Sequence, residues 1–551
     1  MTKRTVDRRR HGAGRLFAGC VLLSLTAGAC SSDNNEAAPR DTESTETAAA
    51  DSTVAGADTT VASTVGSEKS SDPVLTVAYV GLSSAFPDPV QDEFEGYWGN
   101  GEYLLHPVEG GTEPWLAEKA EMVDPSTWTI TMRTGLKYQN GDPVTTEKVK
   151  SWLEHELSTS GEFGDKYAGA TVAADDETTL TVTFATPQAG FETELSNYTL
   201  HFYDWEMVES VGQDFNKLAG MGVYTGPYQI SEITPEKWVY TANPNYWQGT
   251  PALEKIELLN VADDQAAVKA VQAGEADVYV FADAALKPTV DAIDSLHFNP
   301  GGSAEYEALL PNLNKAPWSD PVVRQALVMT IDSADISQKG VFGVFPEIHG
   351  LFPSDSEFAL DWVVTDIDGA NAMLDEAGWT KGGDGVREKD GVRLEGELLS
   401  YAANLNNLAV PLAENAKAAG FAITPKLLEY QVWSDAVSTG EFDLSMQNNE
   451  NYGINGDIAV SCNLYFAPDS TGAGSGAGDD PTIKEACAQL SETRDPATVK
   501  SVLTTVQERN AEMAFVVPVT QRVSSWVTND TWKSAAPDAF YVPITWQTKA
   551  G

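Results

Sequence analysis

The stretch from residue 114 to residue 152 admits few folds. Within it Trp128, Ile130 and Met132 alternate with Thr129 and Thr131, the period of a strand with one buried face. Asn140-Gly141-Asp142-Pro143 follows with turn chemistry, Gly for a positive φ and Pro for a preset negative one. Val149, Trp152, Leu153 and Leu157 then make an apolar stripe at helical spacing over residues 144–157, with Thr145 or Thr146 as N-cap. A strand, a tight turn and a helix in direct succession form an α/β unit.

The same alternation recurs along the chain. Residues 73–80 are nearly continuous in apolar side chains, which suits a strand covered on both faces. Residues 178–184 alternate as a strand. Residues 264–273 read as a helix that Gly274 ends, with a strand at 278–281 after it. Asp320-Pro321 is a helix start, and residues 366–379 a helix with Gly378 past its end. Strands at 394–400 and 421–427 alternate with helices at 408–419 and 432–438. Helices at 481–492 and 497–514 precede a last strand at 515–520. The class is α/β, and 551 residues allow two or three domains.

Charge and cysteines narrow the function. The chain has 81 acidic and 35 basic residues, a formal charge of −46. Nucleic acid is excluded as a partner, because phosphate contacts need Lys/Arg patches and none occurs beyond the first 15 residues. Solubility or salt adaptation is the plain reading of the acidity, and attraction of cationic solutes the functional one. Cys462 and Cys487 are free to pair as a disulfide if the chain is exported. No Cys/His spacing fits a metal, and His155-Glu156 lacks the second His of a zinc helix, so neither metal nor cofactor is expected.

Residues 1–29 read as an export signal: Lys3, Arg4, Arg8, Arg9, Arg10 and Arg15, then an apolar run at 16–29 too short to span a membrane. The run ends Leu25-Thr26-Ala27-Gly28-Ala29-Cys30, which resembles a bacterial lipobox with Ala27 in place of the usual Leu, and implies lipidation of Cys30. Phe17-Ala18-Gly19-Cys20 is a weaker second match, and a plain secretory cut near Ala29 the alternative. Residues 30–72 are Ser, Thr, Ala, Asp and Glu without large hydrophobes, a disordered acidic tether.

Several strings, in order, resemble one known family. PWLAE at 114–118 and the G-L-K-Y-x-N-G-D-P-V-T run at 135–145 are its signature. Val223-Tyr224-Thr225-Gly226-Pro227-Tyr228, Asn243-Pro244-Asn245-Tyr246-Trp247 and Ala270 to Asp277 are further blocks, as is the run from Pro311 to Leu327. The chain is similar to the family 5 extracytoplasmic solute-binding proteins, the peptide and nickel class of ABC-transporter receptors. The resemblance implies a two-lobed periplasmic-binding-protein-like fold (type II) with an extra subdomain inserted in the N-terminal lobe. Lobe I then takes residues 73–105, 216–300 and 513–551, the inserted subdomain 106–215, and lobe II 301–512. It also implies a monomer on the outer face of the bacterial cytoplasmic membrane. That monomer is held by its lipid anchor and hands a small-molecule or peptide ligand to ABC permease subunits.

Phe94-Glu95-Gly96 resembles the family's step at the start of the ligand cleft, which nominates Glu95 and the nearby Trp98. Residues 442–446 resemble the strand that leads into the pocket. Peptide-binding members continue with an Asp that pairs with the peptide amine; here Tyr452 stands at that place, Glu450 comes two positions earlier, and Met446 replaces a basic residue. Asn448, Asn449, Glu450, Tyr452 and Trp433 remain, an amide- and aromatic-rich set suited to saccharides or modified peptides. The rival readings are an exported hydrolase using paired carboxylates and a sensor that reports its ligand without transport. The Gly-rich run at 472–476 fits neither a nucleophile elbow nor a dinucleotide loop, and reads as a flexible loop.

Overall fold

The computed structural model describes residues 74–549, except 90–96, 109, 160–163, 165, 198, 213, 303–304, 451–456, 458–459, 461, 463–465, 467–472, 491 and 533–543. Cys30, Glu95 and Tyr452 lie outside the described residues, as do the signal and the tether, and Glu450 is described by its backbone alone.

Strand β1 (Val74–Val80) leads into an inserted region. There β2 (Ala117–Asp124), β3 (Thr127–Met132), β4 (Thr171–Ala174) and β5 (Thr179–Thr183) pair antiparallel in the order β2-β3-β5-β4. Helix α1 (Thr146–Thr159) buries Val149, Trp152, Leu153 and Leu157, the stripe that the 3.6-residue period selects. The Lys148 amide donates to Thr145 Oγ1 at 3.3 Å, so Thr145 is the cap.

The chain then returns to β1. β6 (Tyr228–Ile233), β7 (Lys237–Ala242), β8 (Lys255–Val261), β9 (Val278–Tyr279) and β10 (Leu296–Pro300) join it in one sheet. β1 runs parallel to both β8 and β9, which explains its apolar continuity: a central parallel strand has no solvent face. Helix α2 (Asp264–Ala273) is capped by the Asp263 carboxylate at the Ala266 amide and stopped by Gly274 at φ 74°. The strand after it is shorter than the predicted 278–281, because Phe281 turns to φ 56°.

A second sheet follows, made of β11 (Glu305–Pro311), β12 (Glu395–Ser400), β13 (Ala422–Leu427), β14 (Leu444–Glu450) and β15 (Val517–Arg522), in the order β13-β12-β14-β11-β15. Helices α3 (Pro321–Val328), α4 (Ala403–Ala416), α5 (Tyr430–Thr439), α6 (Pro481–Gln489) and α7 (Pro496–Met513) belong to this part. β16 (Ser525–Asn529) goes back to the first sheet, giving the order β10-β16-β9-β1-β8-β7-β6. The chain therefore crosses between the sheets twice, after Pro300 and after Arg522. The two crossings touch, with the Gly301 amide donating to Ser524 O at 2.8 Å. Residues 517–522, expected in the first lobe, pair instead with β11 at the edge of the second sheet.

The strings that resemble the family bind one another. Glu102 Oε1 accepts from Trp115 Nε1 at 2.9 Å, Tyr246 Oη at 3.0 Å and Trp247 Nε1 at 3.2 Å, so two motif blocks meet at one buried carboxylate. Asn243 Nδ2 donates to Gly226 O at 2.9 Å, and a Cβ at Gly226 would lie 2.3 Å from Gly99 O. These residues are scaffold. The described part of the Gly-rich run is also packed rather than loose. Residues 473–475 and 477–479 form short 3-10 turns, Ser475 is buried, and a Cβ at Gly474 would stand 1.9 Å from Val437 O. Backbone closeness, which only Gly permits, is the reason for those glycines. Cys462 and Cys487 form a disulfide onto α6.

Candidate ligand-binding site

Open α/β sheets hold their crevice outside the carboxyl ends of parallel strands. Two groups of side chains gather there, one on each sheet. At the ends of β1 and β9 stand Tyr79 and Phe281, with Trp98 and Tyr97 beside them. Tyr79 meets Trp98 edge-on at 6.1 Å and Phe281 at 6.2 Å, and Tyr97 lies 5.7 Å from Phe281. Trp98 is buried, and its Nε1–H has no hydrogen-bond partner among the described residues.

The second group is polar and lies on one face of the second sheet. Residues directly opposite in a ladder share a face. Glu307 on β11 stands opposite Asn448 on β14 and Thr520 on β15, and Glu305 stands opposite Arg522. Arg522 reaches Glu305 Oε2 at 3.4 Å and Glu307 Oε1 at 3.9 Å. Asn448 Nδ2 donates to Glu305 Oε1 at 2.7 Å, and Asn404 Nδ2, from the first turn of α4, donates to Glu307 Oε1 at 3.0 Å. Glu307 is 0 % exposed, and burial, opposed by Arg522 and reinforced by Glu305, pushes its carboxyl up to about 8. Three buried atoms in this nest have no hydrogen-bond partner among the described residues, Glu307 Oε2, Asn448 Oδ1 and Thr520 Oγ1; Ser400 Oγ, on β12 two strands from Glu307, also has none. Glu307, Asn448 and Thr520 occupy directly facing positions on three neighbouring strands, which makes this the candidate site.

Asn448 and Asn449, adjacent in sequence, sit on opposite faces of a strand that continues through the expected pocket lip. Asn449 is buried away from the nest, accepting from Gln447 Nε2 at 3.0 Å and donating to Tyr306 Oη at 3.4 Å. Trp433 is also buried, on α5, with Nε1–H donating to Ser445 Oγ at 2.9 Å and its ring 4.3 Å from that of Tyr401. Trp433 braces β14 from behind, and Asn449 ties β14 to Tyr306 on the same side. Glu305, Glu307, Ser400, Asn404, Thr520 and Arg522 escaped the sequence reading. The one available signal was Glu305-Tyr306-Glu307, carboxylates alternating with an aromatic before the apolar Ala308-Leu309-Leu310.

The two groups share one corner of the molecule. The Ala282 amide, next to Phe281, donates to Ser525 O at 2.8 Å, three residues past Arg522. Such a span reaches about 10 Å. Among the described residues no cluster of His, Cys, Asp and Glu could hold a metal ion, and no helix is long and apolar enough to cross a membrane.

Two sheet lobes joined by paired crossings, with an aromatic group and a polar nest beside the crossings, define a solute-binding protein of the two-lobed type II class. The family model described as bacterial extracellular solute-binding proteins, family 5 Middle, matches residues 111–470, and the chain belongs to that family. It is 26% identical over 393 residues to Protein XP55 of Streptomyces lividans, covering 68% of this chain and 69% of that protein. It is 26% identical over 318 residues to the nickel-binding periplasmic protein of Escherichia coli, covering 54% of this chain and 59% of that one. Among solved structures, NikA from Brucella suis in complex with Fe(III)-EDTA superposes with a TM-score of 0.74 at 21% identity, over 87% of this chain and 100% of that one. That likeness establishes the fold. The family places the protein outside the cytoplasm and among the binding components of ABC importers.

Proposed function

We propose that this chain is a lipid-anchored receptor that captures a polar solute between its two lobes, passes it unchanged to an ABC importer, and performs no chemistry. The observation that supports this most is the nest of buried polar atoms without partners beside the two crossings, where a closing hinge would bring the lobes together. Lobe I takes residues 73–105, 216–300 and 523–551, the inserted subdomain 106–215 and lobe II 301–522. Cys30 carries the lipid and residues 30–72 the tether, which leaves the monomer free to orient toward permease subunits. Trp98 and Asn448 touch the ligand, Glu95, Glu450 and Tyr452 are further ligand contacts on the family resemblance alone, and Trp433 and Asn449 position β14.

The paired carboxylates that a hydrolase would need are present as Glu305 and Glu307, but Arg522, Asn404 and Asn448 already engage them. Receptor and hydrolase are separated by recovery of the ligand. The protein is incubated with a yeast-extract filtrate, washed and denatured, and the released molecules are weighed. A receptor releases a molecule already present in the filtrate; a product absent from the filtrate contradicts the proposal. Loss of solute uptake in cells lacking the receptor separates transport from sensing.

A further inference from the structure

Phe281 is held in a backbone conformation that its local sequence does not require. Among the described residues four residues other than Gly adopt a left-handed φ: Phe281, Phe342, Asp390 and Ala514. Three of them have local reasons. Phe342 and Ala514 end helices, Ser333–Val341 and α7, where a left-handed residue lets the chain satisfy the last carbonyls. Asp390, with Gly391, makes the two-residue turn between the paired strands Arg387–Lys389 and Val392–Arg393. Phe281 closes neither a helix nor a hairpin. It stands at φ 56° between the end of β9 and the short turn at 284–286. A bulky aromatic there costs stability, and such residues gather at active sites and ligand clamps.

The left-handed turn re-aims the ring. In an unbroken strand Phe281 would share a face with Tyr279, which is buried beside α2 with its hydroxyl donating to Asp264 Oδ1 at 2.7 Å. The turn breaks that alternation, and Phe281 packs instead against the cluster of Val278, Val280 and Tyr79 on the opposite face. Its neighbours Tyr79, Tyr97 and Trp98 are buried, whereas Phe281 is half-buried, so it is the ring of that group with a surface to offer. Strain and exposure both lower stability. Both are accounted for by a ring presented at the carboxyl ends of the parallel strands β1 and β9, where an open sheet holds its crevice.

Given the receptor reading above, we propose that Phe281 is a specificity-determining residue on lobe I, a platform on which a flat ring of the captured solute stacks. The side chain offers no polar atom, so it recognises shape. An aromatic ring or the C–H face of a sugar ring covers it, and an acyclic chain makes a poorer contact. The amide of Ala282, the next residue, donates to Ser525 O at the second crossing, which sets the platform at the base of the hinge. Closure of the lobes then presses the solute's ring onto Phe281, and the buried rings of Tyr79 and Tyr97 hold it from behind.

The test uses the whole exported chain and a yeast-extract filtrate as the source of solutes. Native mass spectrometry identifies what is retained, and calorimetry titrates that molecule into wild type and variants. The retained molecule should carry an aromatic or a sugar ring, which fragmentation tells apart. Phe281→Tyr, which keeps a ring, should bind it within about twofold of wild type, and Phe281→Leu, apolar without a flat face, about three- to tenfold more weakly. Phe281→Gly should lose the solute at least as strongly, yet melt above Phe281→Ala because it relieves the left-handed strain. A retained molecule without a ring, or one bound equally well by Phe281→Leu, overturns the platform and leaves the receptor standing. Melting of Phe281→Gly below Phe281→Ala would show that no strain is stored there, and overturns it too. Retention of nothing by the wild-type chain overturns both platform and receptor. Should a variant fail to fold, the identity of the retained molecule still decides.

Discussion

Glu307 couples the ligand-free protein's stability to pH. Its folded-state carboxyl titrates at about 8, against an ordinary value of 4.5, because burial outweighs the attraction of Arg522. Between those values the folded state binds one more proton than the unfolded state, so stability is fully present below the lower value and is lost as pH rises through the upper one. The slope is about 1.4 kcal/mol per pH unit. Glu307→Gln should flatten this fall, measured as urea midpoints from about pH 5 to pH 8. Unchanged pH dependence in the variant would show that Glu307 titrates normally. Glu102 makes a different prediction: Glu102→Ala strips the acceptor from Trp115, Tyr246 and Trp247 and should cost about 3 kcal/mol or more in chemical denaturation, whatever the ligand. At this scale the sequence is a partial guide. Asn448 was nominated through its place after a recognisable strand, and the structure sets it opposite Glu307. Glu305 and Glu307 were not, because burial cannot be read from a carboxylate in one dimension and the amide that meets Glu305 lies 143 residues away. Asn449, nominated alongside Asn448, faces the other side of the sheet, since two neighbours in a strand point to opposite faces.

Elements with local signals were the legible ones. The cap and stop of α2, the Asp320 cap that receives the Val322 amide, and the alternation of β3 each follow from residues within one turn or one pleat. β11 and β16 carry weaker local signals, the alternation Glu305-Tyr306-Glu307 being the one mark of β11. β11 begins with two glutamates yet is buried along its whole length, and β16 is short and finds its sheet only after the chain has crossed back. Local pattern failed at β11, whose two carboxylates are buried against partners from distant parts of the chain. The Gly-rich run was misread for a related reason: its glycines are needed for close approach to α5, which composition cannot reveal. Gly474→Ala should therefore destabilise by about 1–3 kcal/mol through overpacking, seen as a lower melting temperature; a neutral result would restore the flexible loop. Replacing Cys462 and Cys487 together by Ser should cost about 3 kcal/mol in the chain-entropy account of a loop with separation 25.

On the scale of the whole molecule, three separated chain segments build the first sheet and a long excursion builds the second, so only two short crossings connect them. The inserted region adds a further contact. Arg494, just past α6, approaches Gly190 so closely that a Cβ there would lie 1.9 Å from Nη2, and the same guanidinium attracts Glu192 and lies 3.9 Å from Asp457. Arg494→Ala should loosen this bridge and favour an open arrangement, lowering ligand affinity through the closing equilibrium while the nest itself is unaltered. The family strings, spread through the scaffold, identified this architecture, whereas the candidate site stands on Glu305, Glu307, Asn448 and Thr520, outside those strings. Small-angle X-ray scattering before and after addition of the solute recovered from the filtrate tests capture between lobes most directly. The structure predicts a smaller radius of gyration and a more compact profile with solute bound. An unchanged profile under saturating solute would contradict closure of the two sheets around it.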